Sequence, residues 1–181
     1  MAREKKEKGF SLTREIEINV TADELWKLVG DGFADVYIWA STVDHSSGSG
    51  SADFEGAVCS ERSCDLNASG FDKISEKLTK YDIETKNLAY EVNSGMPSFI
   101  TYASNDWQVV DLGNGKSKLI MNGNFQMKGL MGTMMKGMMK KKLTKTLDQV
   151  LVDAKVYAET GQVSEAKQKR VNKLNKKNMA A

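Results

Sequence analysis

The chain has 181 residues, 26 of them Lys or Arg and 24 Asp or Glu, for a formal net charge of +2. That is the size of one domain, and 40% hydrophobic residues can bury a core, which sets aside the disordered class of low hydrophobicity and high net charge. No run approaches the roughly 20 apolar residues of a membrane span, and the opening MAREKKEKG carries no hydrophobic stretch of secretory type, so a cytoplasmic protein is expected.

The near-neutral total conceals an asymmetry. Residues 1–127 hold 13 basic and 20 acidic groups, whereas residues 128–181 hold 13 basic and only 4 acidic ones. Methionine is equally lopsided: Met127, Met131, Met134, Met135, Met138 and Met139, six of the ten, fall within thirteen residues at that junction.

In chain order, residues 1–12 form a charged N-terminal segment. From Thr13 to Val20, Ile16, Ile18 and Val20 alternate with polar residues, the period-two signature of a half-buried strand. Thr21 then stands as an N-cap with Glu24 three positions on, and Leu25, Trp26, Leu28 and Val29 take helical spacing. This short helix should end near Gly30 to Gly32, with one or two further helical turns over Phe33 to Ile38. Residues 46–56, SSGSGSADFEG, read as a loop.

A meander of strands is expected next: Ala57 to Leu66, Phe71 to Tyr81, Leu88 to Ser94, Phe99 to Leu112 and Ser117 to Met127, six or seven antiparallel strands in all. Asn114-Gly115 is a strong hairpin signal between the last two. After Lys128 the period becomes helical. Met131, Met135, Met138 or Met139, Leu143, Leu147, Val150, Ala154 and Tyr157 describe one apolar stripe about seven turns long, ending near Gly161 as C-cap. Residues 161–181 read as a basic extension with at most a weak helix.

Cys59 and Cys64 lie five apart in one expected strand, on opposite faces, so a disulfide between them is not expected. With one histidine and no CxxC or HxxxH spacing, no metal site is expected, and no cofactor is called for.

Strand, small helices, meander and long helix combine economically in an α+β helix-grip fold, in which a curved antiparallel sheet wraps the C-terminal helix and leaves a cavity between them. Residues 13–160 would form this domain. Its strand sequences resemble the SRPBCC superfamily, which includes START domains, birch-pollen-allergen-type proteins and polyketide cyclase/dehydratases, and are most similar to the cyclase-like branch. The resemblance is carried by Gly56, Arg62, Cys64 and Leu66; by Glu76, Leu78, Tyr81 and Asp82; by Leu88, Tyr90 and Val92; and by Met121, Gly123 and Phe125. Met121 stands where that branch has tryptophan, and four extra residues separate Gly56 from Arg62.

The clearest polar constellation is Arg62 with Glu76. Counting back equally from a turn around Ala68 to Gly70 pairs position 62 with 76 and 64 with 74, so both charges meet among apolar neighbours on the cavity face. The pair reads as a structural ion pair, as an anchor for a ligand head group, or as a tuned acid/base carboxylate. His45, grouped by alternation with Trp39 and Val43, is the other acid/base candidate. Met131, Met135 and Met138 are expected to line the cavity between helix and sheet, because unbranched, polarizable methionine suits irregular apolar ligands. The same segment also reads as a helix able to press an apolar face on a membrane or partner.

The resemblance implies reversible binding of a hydrophobic small molecule or lipid at Trp39, Val43, Arg62, Cys64, Glu76, Tyr90, Met121, Phe125 and the three methionines. A cyclase/dehydratase using the same cavity, with Glu76 or His45 as acid/base, is the alternative, and a partner-binding module of co-chaperone-activator type a third. The basic C-terminal region is expected to favour an anionic membrane surface; its tail lacks aromatic residues for base stacking, so no specific nucleic acid is expected.

Overall fold

The structure is a computed structural model that describes residues 9–68 and 71–179. Seven antiparallel strands form one sheet in the order β1-β7-β6-β5-β4-β3-β2: β1 Phe10–Ile18, β2 Val43–Ser49, β3 Glu61–Ala68, β4 Phe71–Asp82, β5 Asn87–Ser94, β6 Ile100–Gly113 and β7 Lys116–Met127. Every neighbour from β2 to β7 is also the next strand in sequence, and β1 closes the far edge by pairing with β7. Between β1 and β2 run a short helix α1, Ala22–Trp26, a π-helical turn at Lys27–Asp31 and a 3-10 segment at Phe33–Ile38. The long helix α2, Gly129–Thr160, follows the meander, and a third helix α3, Glu165–Asn178, ends the described chain. This is the helix-grip arrangement.

Local chemistry explains most boundaries. Thr21 caps α1 through a reciprocal capping box with Glu24. Asn114 and Gly115 both take positive φ, 53° and 71°, as the tight turn between β6 and β7 requires. At Gly161 the left-handed φ of 69° ends α2.

Three boundaries differ from the expectation: β1 starts at Phe10, inside the segment expected to precede the domain, rather than at Thr13; the other two lie in β2 and β3. Residues 46–49 are strand rather than loop, because β2 is an edge strand whose backbone pairs with β3, with Ser46 turned inward onto the Ala34 carbonyl. β3 begins only at Glu61, so Cys59 lies in the segment before the strand rather than within it; both cysteines are buried free thiols. The expected turn at Ala68 to Gly70 falls partly outside the described residues.

The largest difference is the basic extension, which is a docked helix. Ser164 caps α3 and donates its Oγ–H to Asp153 of α2. Lys167, 4% exposed, donates to the Val43 carbonyl at 2.8 Å, and Arg170 pairs with Asp44 at the start of β2. Burial pushes the Lys167 ammonium below its ordinary pKa, opposed by Asp44 and Asp153. The sequence pattern missed this docking because its contacts are polar, not an apolar stripe.

The core fills the space between the inner sheet face, α1 with its following turns, and the C-terminal half of α2. Ile18, Leu25, Phe33, Trp39, Leu88, Leu119 and Met121 are each 2% exposed or less. Gly123 faces inward, where an added Cβ would lie 2.9 Å from the Phe125 ring and 3.8 Å from Leu147, so its missing side chain lets α2 sit close to β7. Among the described residues no helix is long and apolar enough to cross a membrane.

Asp153 is the polar node that fixes α2. Fully buried, it accepts from the Ser41 backbone N–H at 2.7 Å and hydroxyl at 2.6 Å, from Gln149 at 2.8 Å and from Ser164. Asp153→Ala strands these buried donors, and it should lower unfolding free energy by about 2–4 kcal/mol in urea titration. An exposed substitution on α3 such as Lys173→Ala should cost less than about 0.5 kcal/mol.

Candidate functional site

A cavity of about 180 Å3 lies between the inner face of β3 to β7 and the middle of α2. Its wall is mostly apolar: Val36, Ala40, Val43, Leu66, Ile74, Val92, Ala103, Trp107, Met121, Phe125, Leu143, Leu147 and Val150. Polar groups interrupt it at Arg62, Glu76, Tyr90, Asn105, Lys142 and Thr146.

Strand alternation builds the polar end. Arg62, Cys64 and Leu66 share the inner face of β3, and the β3–β4 register sets Arg62 opposite Glu76 and Cys64 opposite Ile74, as counting from the turn predicts. The next strand contributes Tyr90, and β6 contributes Ala103, Asn105 and Trp107 on the same alternation. Arg62 Nε donates to Glu76 Oε2 at 2.7 Å, and Nη2 reaches the same oxygen at 2.6 Å. Nη1 donates to the Phe33 carbonyl at 2.6 Å. The guanidinium carbon lies 4.0 Å from the centroid of the Phe33 ring and 5.2 Å from that of Tyr90.

Both charges are almost fully buried, Arg62 at 3% and Glu76 at 4% exposure. Burial opposes the Arg62 charge, but the facing Glu76 carboxylate together with Cys64 and Tyr90 outweighs it and holds the arginine pKa above its ordinary value. Burial is also the main reason the Cys64 thiol is pushed up to about 12; Arg62 pulls it down and Glu76 pushes it further up. Cys64 is therefore a protonated thiol, and its S–H points to Glu76 Oε2 at 3.6 Å. Burial, then Glu76, raises the Tyr90 phenol as well; its oxygen accepts from Asn105 Nδ2 at 3.4 Å. The three contacts to Glu76 all converge on Oε2.

The structure gathers Val43, Arg62, Cys64, Glu76, Tyr90, Met121 and Phe125 on the cavity wall. It does not gather the rest. Trp39 is buried behind the wall, its ring 6.4 Å from that of Trp107. A register shift between Val43 and His45 breaks the alternation that grouped them, so His45 is exposed and its ring lies 5.6 Å from that of Tyr37, away from the cavity. Met131 and Met138 are 60% and 56% exposed, and Met135 packs on the core without reaching the cavity. With methionine at six positions in thirteen, several helix faces look equally apolar in sequence; the buried ones here are Gly132 and Met139.

Asn105 and Trp107 were missed by the sequence reading although they alternate with Ala103 in β6, a signal that was present. Lys142 and Thr146 depended on the rotation of α2, and Phe33 on a contact across 29 residues, which no spacing reports.

A curved sheet gripping a helix over an apolar cavity defines a helix-grip protein. Residues 9–153 match the family described as polyketide cyclase / dehydrase and lipid transport, and the chain belongs to that family, within the cyclase-like branch of the SRPBCC superfamily. No curated protein matches the chain in sequence. Similar solved structures include XoxI from Bacillus cereus, 18% identical with a TM-score of 0.63 over 80% of this chain and 92% of that one. Norcoclaurine synthase from Thalictrum flavum, in complex with dopamine and hydroxybenzaldehyde, is 16% identical with a TM-score of 0.61, covering 80% of this chain and 85% of that one. The Zhui aromatase/cyclase from a Streptomyces species is 12% identical with a TM-score of 0.61, covering 87% and 100%. At these identities the likeness is one of fold.

Two outcomes test the buried cluster. Glu76→Ala leaves the Arg62 charge without its partner and should cost about 3–5 kcal/mol of stability, whereas replacing the pair together by Met and Leu should be near neutral in the same denaturant titration. The second concerns Cys64, whose folded pKa lies above its unfolded value. The thiol's contribution is complete below the unfolded pKa of 9.0 and is lost as pH rises toward about 12. Stability of the wild type should therefore fall across that window more steeply than that of Cys64→Ala, measured by chemical denaturation at stepped pH.

Proposed function

We propose that the protein reversibly binds a compact hydrophobic small molecule, with an apolar body against Val43, Ala103, Met121, Phe125 and Leu147 and a polar group toward Glu76 and Tyr90. The observation that carries this reading is the mostly apolar cavity with a fixed polar cluster at Arg62, Glu76 and Tyr90 in its wall, a pattern suited to orienting an amphipathic ligand. Its size narrows the class. An apolar cavity of about 150 Å3 accepts benzene, so about 180 Å3 suits a one-ring or small two-ring compound better than a long acyl chain. A protein of the same fold is known in complex with dopamine and hydroxybenzaldehyde, both single-ring compounds, which agrees with that scale.

Binding has more support than catalysis. His45, one of the two acid/base candidates, is away from the cavity, and Glu76 Oε2 already accepts from Arg62 and Cys64. That network suits a fixed acceptor for a ligand O–H or N–H. A cyclase/dehydratase using Glu76 remains the enzymatic alternative, and it predicts turnover of a bound ligand that Glu76→Gln abolishes without loss of binding.

Ala103→Leu tests the reading, because the added carbons point into the cavity from a residue 3% exposed. Isothermal titration with 1-naphthol should show one site in the wild type and at least about tenfold weaker binding in the variant, at little cost in stability. Equal binding by both proteins, or a destabilisation of about 1–3 kcal/mol signalling a filled core, would overturn it. Native mass spectrometry of the purified protein should show a co-purifying small apolar compound that the variant lacks.

A further inference from the structure

The cavity accounts for the buried face of α2 but leaves its outer face unexplained. Leu130, Met131, Met134 and Met138 are 77%, 60%, 74% and 56% exposed, a cluster of large apolar side chains standing in solvent on the first three turns. At about 100° per residue, positions 130, 131, 134 and 138 fall within one face of the helix about 100° wide, and Lys141 and Lys145, both exposed, continue that face over the next two turns. From Lys128 to Leu147 the chain has six lysines and no carboxylate. A contiguous exposed apolar patch marks an interaction surface, and the charge around it selects the partner. Two copies would bring these lysines against each other, and the cluster has no aromatic ring on which a nucleic-acid base would stack.

We propose that the N-terminal half of α2 docks on an anionic lipid bilayer, with Leu130, Met131, Met134 and Met138 entering the interface and Lys141 and Lys145 meeting the head groups. The geometry is that of an interfacial helix, with apolar side chains on one face and cations alongside them. Gly137, beside Leu130 at the edge of that face, has nothing within 4 Å of an added Cβ, so a surface can approach the backbone closely there. The fold supports the placement: Leu147, Val150, Leu151 and Ala154 anchor the C-terminal half of the helix, and Gly132, Met135 and Met139 turn inward from its first turns, so Leu130, Met131, Met134 and Met138 face solvent. Docking would set the cavity at the bilayer, because its wall includes Lys142, Leu143 and Thr146, one to two turns beyond Met138. On α3, Lys167 and Arg170 are held on β2, and among the described residues its exposed Lys173, Lys176 and Lys177 stand beside no cluster of exposed large apolar side chains like that of α2.

Flotation with vesicles of phosphatidylcholine alone, or mixed with phosphatidylserine, tests this with the full chain. The wild type should float with the anionic vesicles only, and less at high salt. Met134→Glu with Met138→Glu should reduce the bound fraction at least about tenfold, and Lys141→Glu with Lys145→Glu comparably. All four positions are exposed, so urea midpoints should stay unchanged and separate lost docking from lost folding. Lys173→Glu with Lys176→Glu on α3 should leave flotation intact. Absence of wild-type flotation, equal flotation on neutral vesicles, or glutamate variants that bind as the wild type does would overturn the proposal. So would a loss of flotation produced by the α3 variant alone, or methionine-dependent dimerisation or RNA binding without vesicle binding. None of these readouts involves a cavity ligand, so the proposal stands or falls apart from the function proposed above.

Discussion

The structure turns on an ion pair buried across β3 and β4. Arg62 and Glu76 are each almost wholly enclosed, and two opposite charges brought that deep must satisfy one another or cost several kcal/mol each. Meeting that demand ties four parts of the chain together: β3 and β4 carry the charges, the Phe33 carbonyl and ring hold the guanidinium from the segment before β2, and Tyr90 flanks it from β5. The hairpin register follows, because a slip by one residue would put the two charges on opposite faces of the sheet and leave one of them buried without its partner. The polar end of the cavity is thus set by the same contacts that order the sheet around it.

A second buried charge does for the helices what the pair does for the strands. Asp153 gathers donors from Ser41, Gln149 and Ser164, joining α2 both to the segment entering β2 and to the cap of α3. The C-terminal half of α2 is therefore held by apolar and polar contacts together. Its N-terminal half packs inward through Gly132, Met135 and Met139, and there Met131, Met134 and Met138 stand outward. The opposition of an acidic first part and a basic second part acquires a spatial meaning from this: Lys140, Lys141, Lys142 and Lys145 cluster on the stretch of helix that also supplies one wall of the cavity.

Much of this was readable in the sequence. Alternation in Arg62, Cys64 and Leu66 and in Ile74, Glu76 and Leu78 placed the charged pair and its register, since the two-residue period and the hairpin turn are local properties. The Thr21 capping box, the Asn114-Gly115 turn and the Gly161 stop were equally legible, being set by φ preference and hydrogen-bond reach within a few residues. His45 was misplaced because a single bulge inverts the alternation beyond it, and bulges leave little mark on residue type.

What the sequence by itself determined was the order and type of most elements, the pairing of the meander from β3 to β7, and Arg62, Cys64, Glu76 and Tyr90 of the cavity's polar cluster. Only the tertiary structure decided which face of α2 is buried, that a lysine-rich tail docks as a helix, and that Phe33 closes over Arg62. The reason is one of range. Periodicity and turn chemistry act over a few residues, whereas the rotation of a helix crowded with methionine is chosen by the whole surface it packs against. Likewise, a lysine such as Lys167 is buried only because Val43, far away in sequence, offers it a carbonyl.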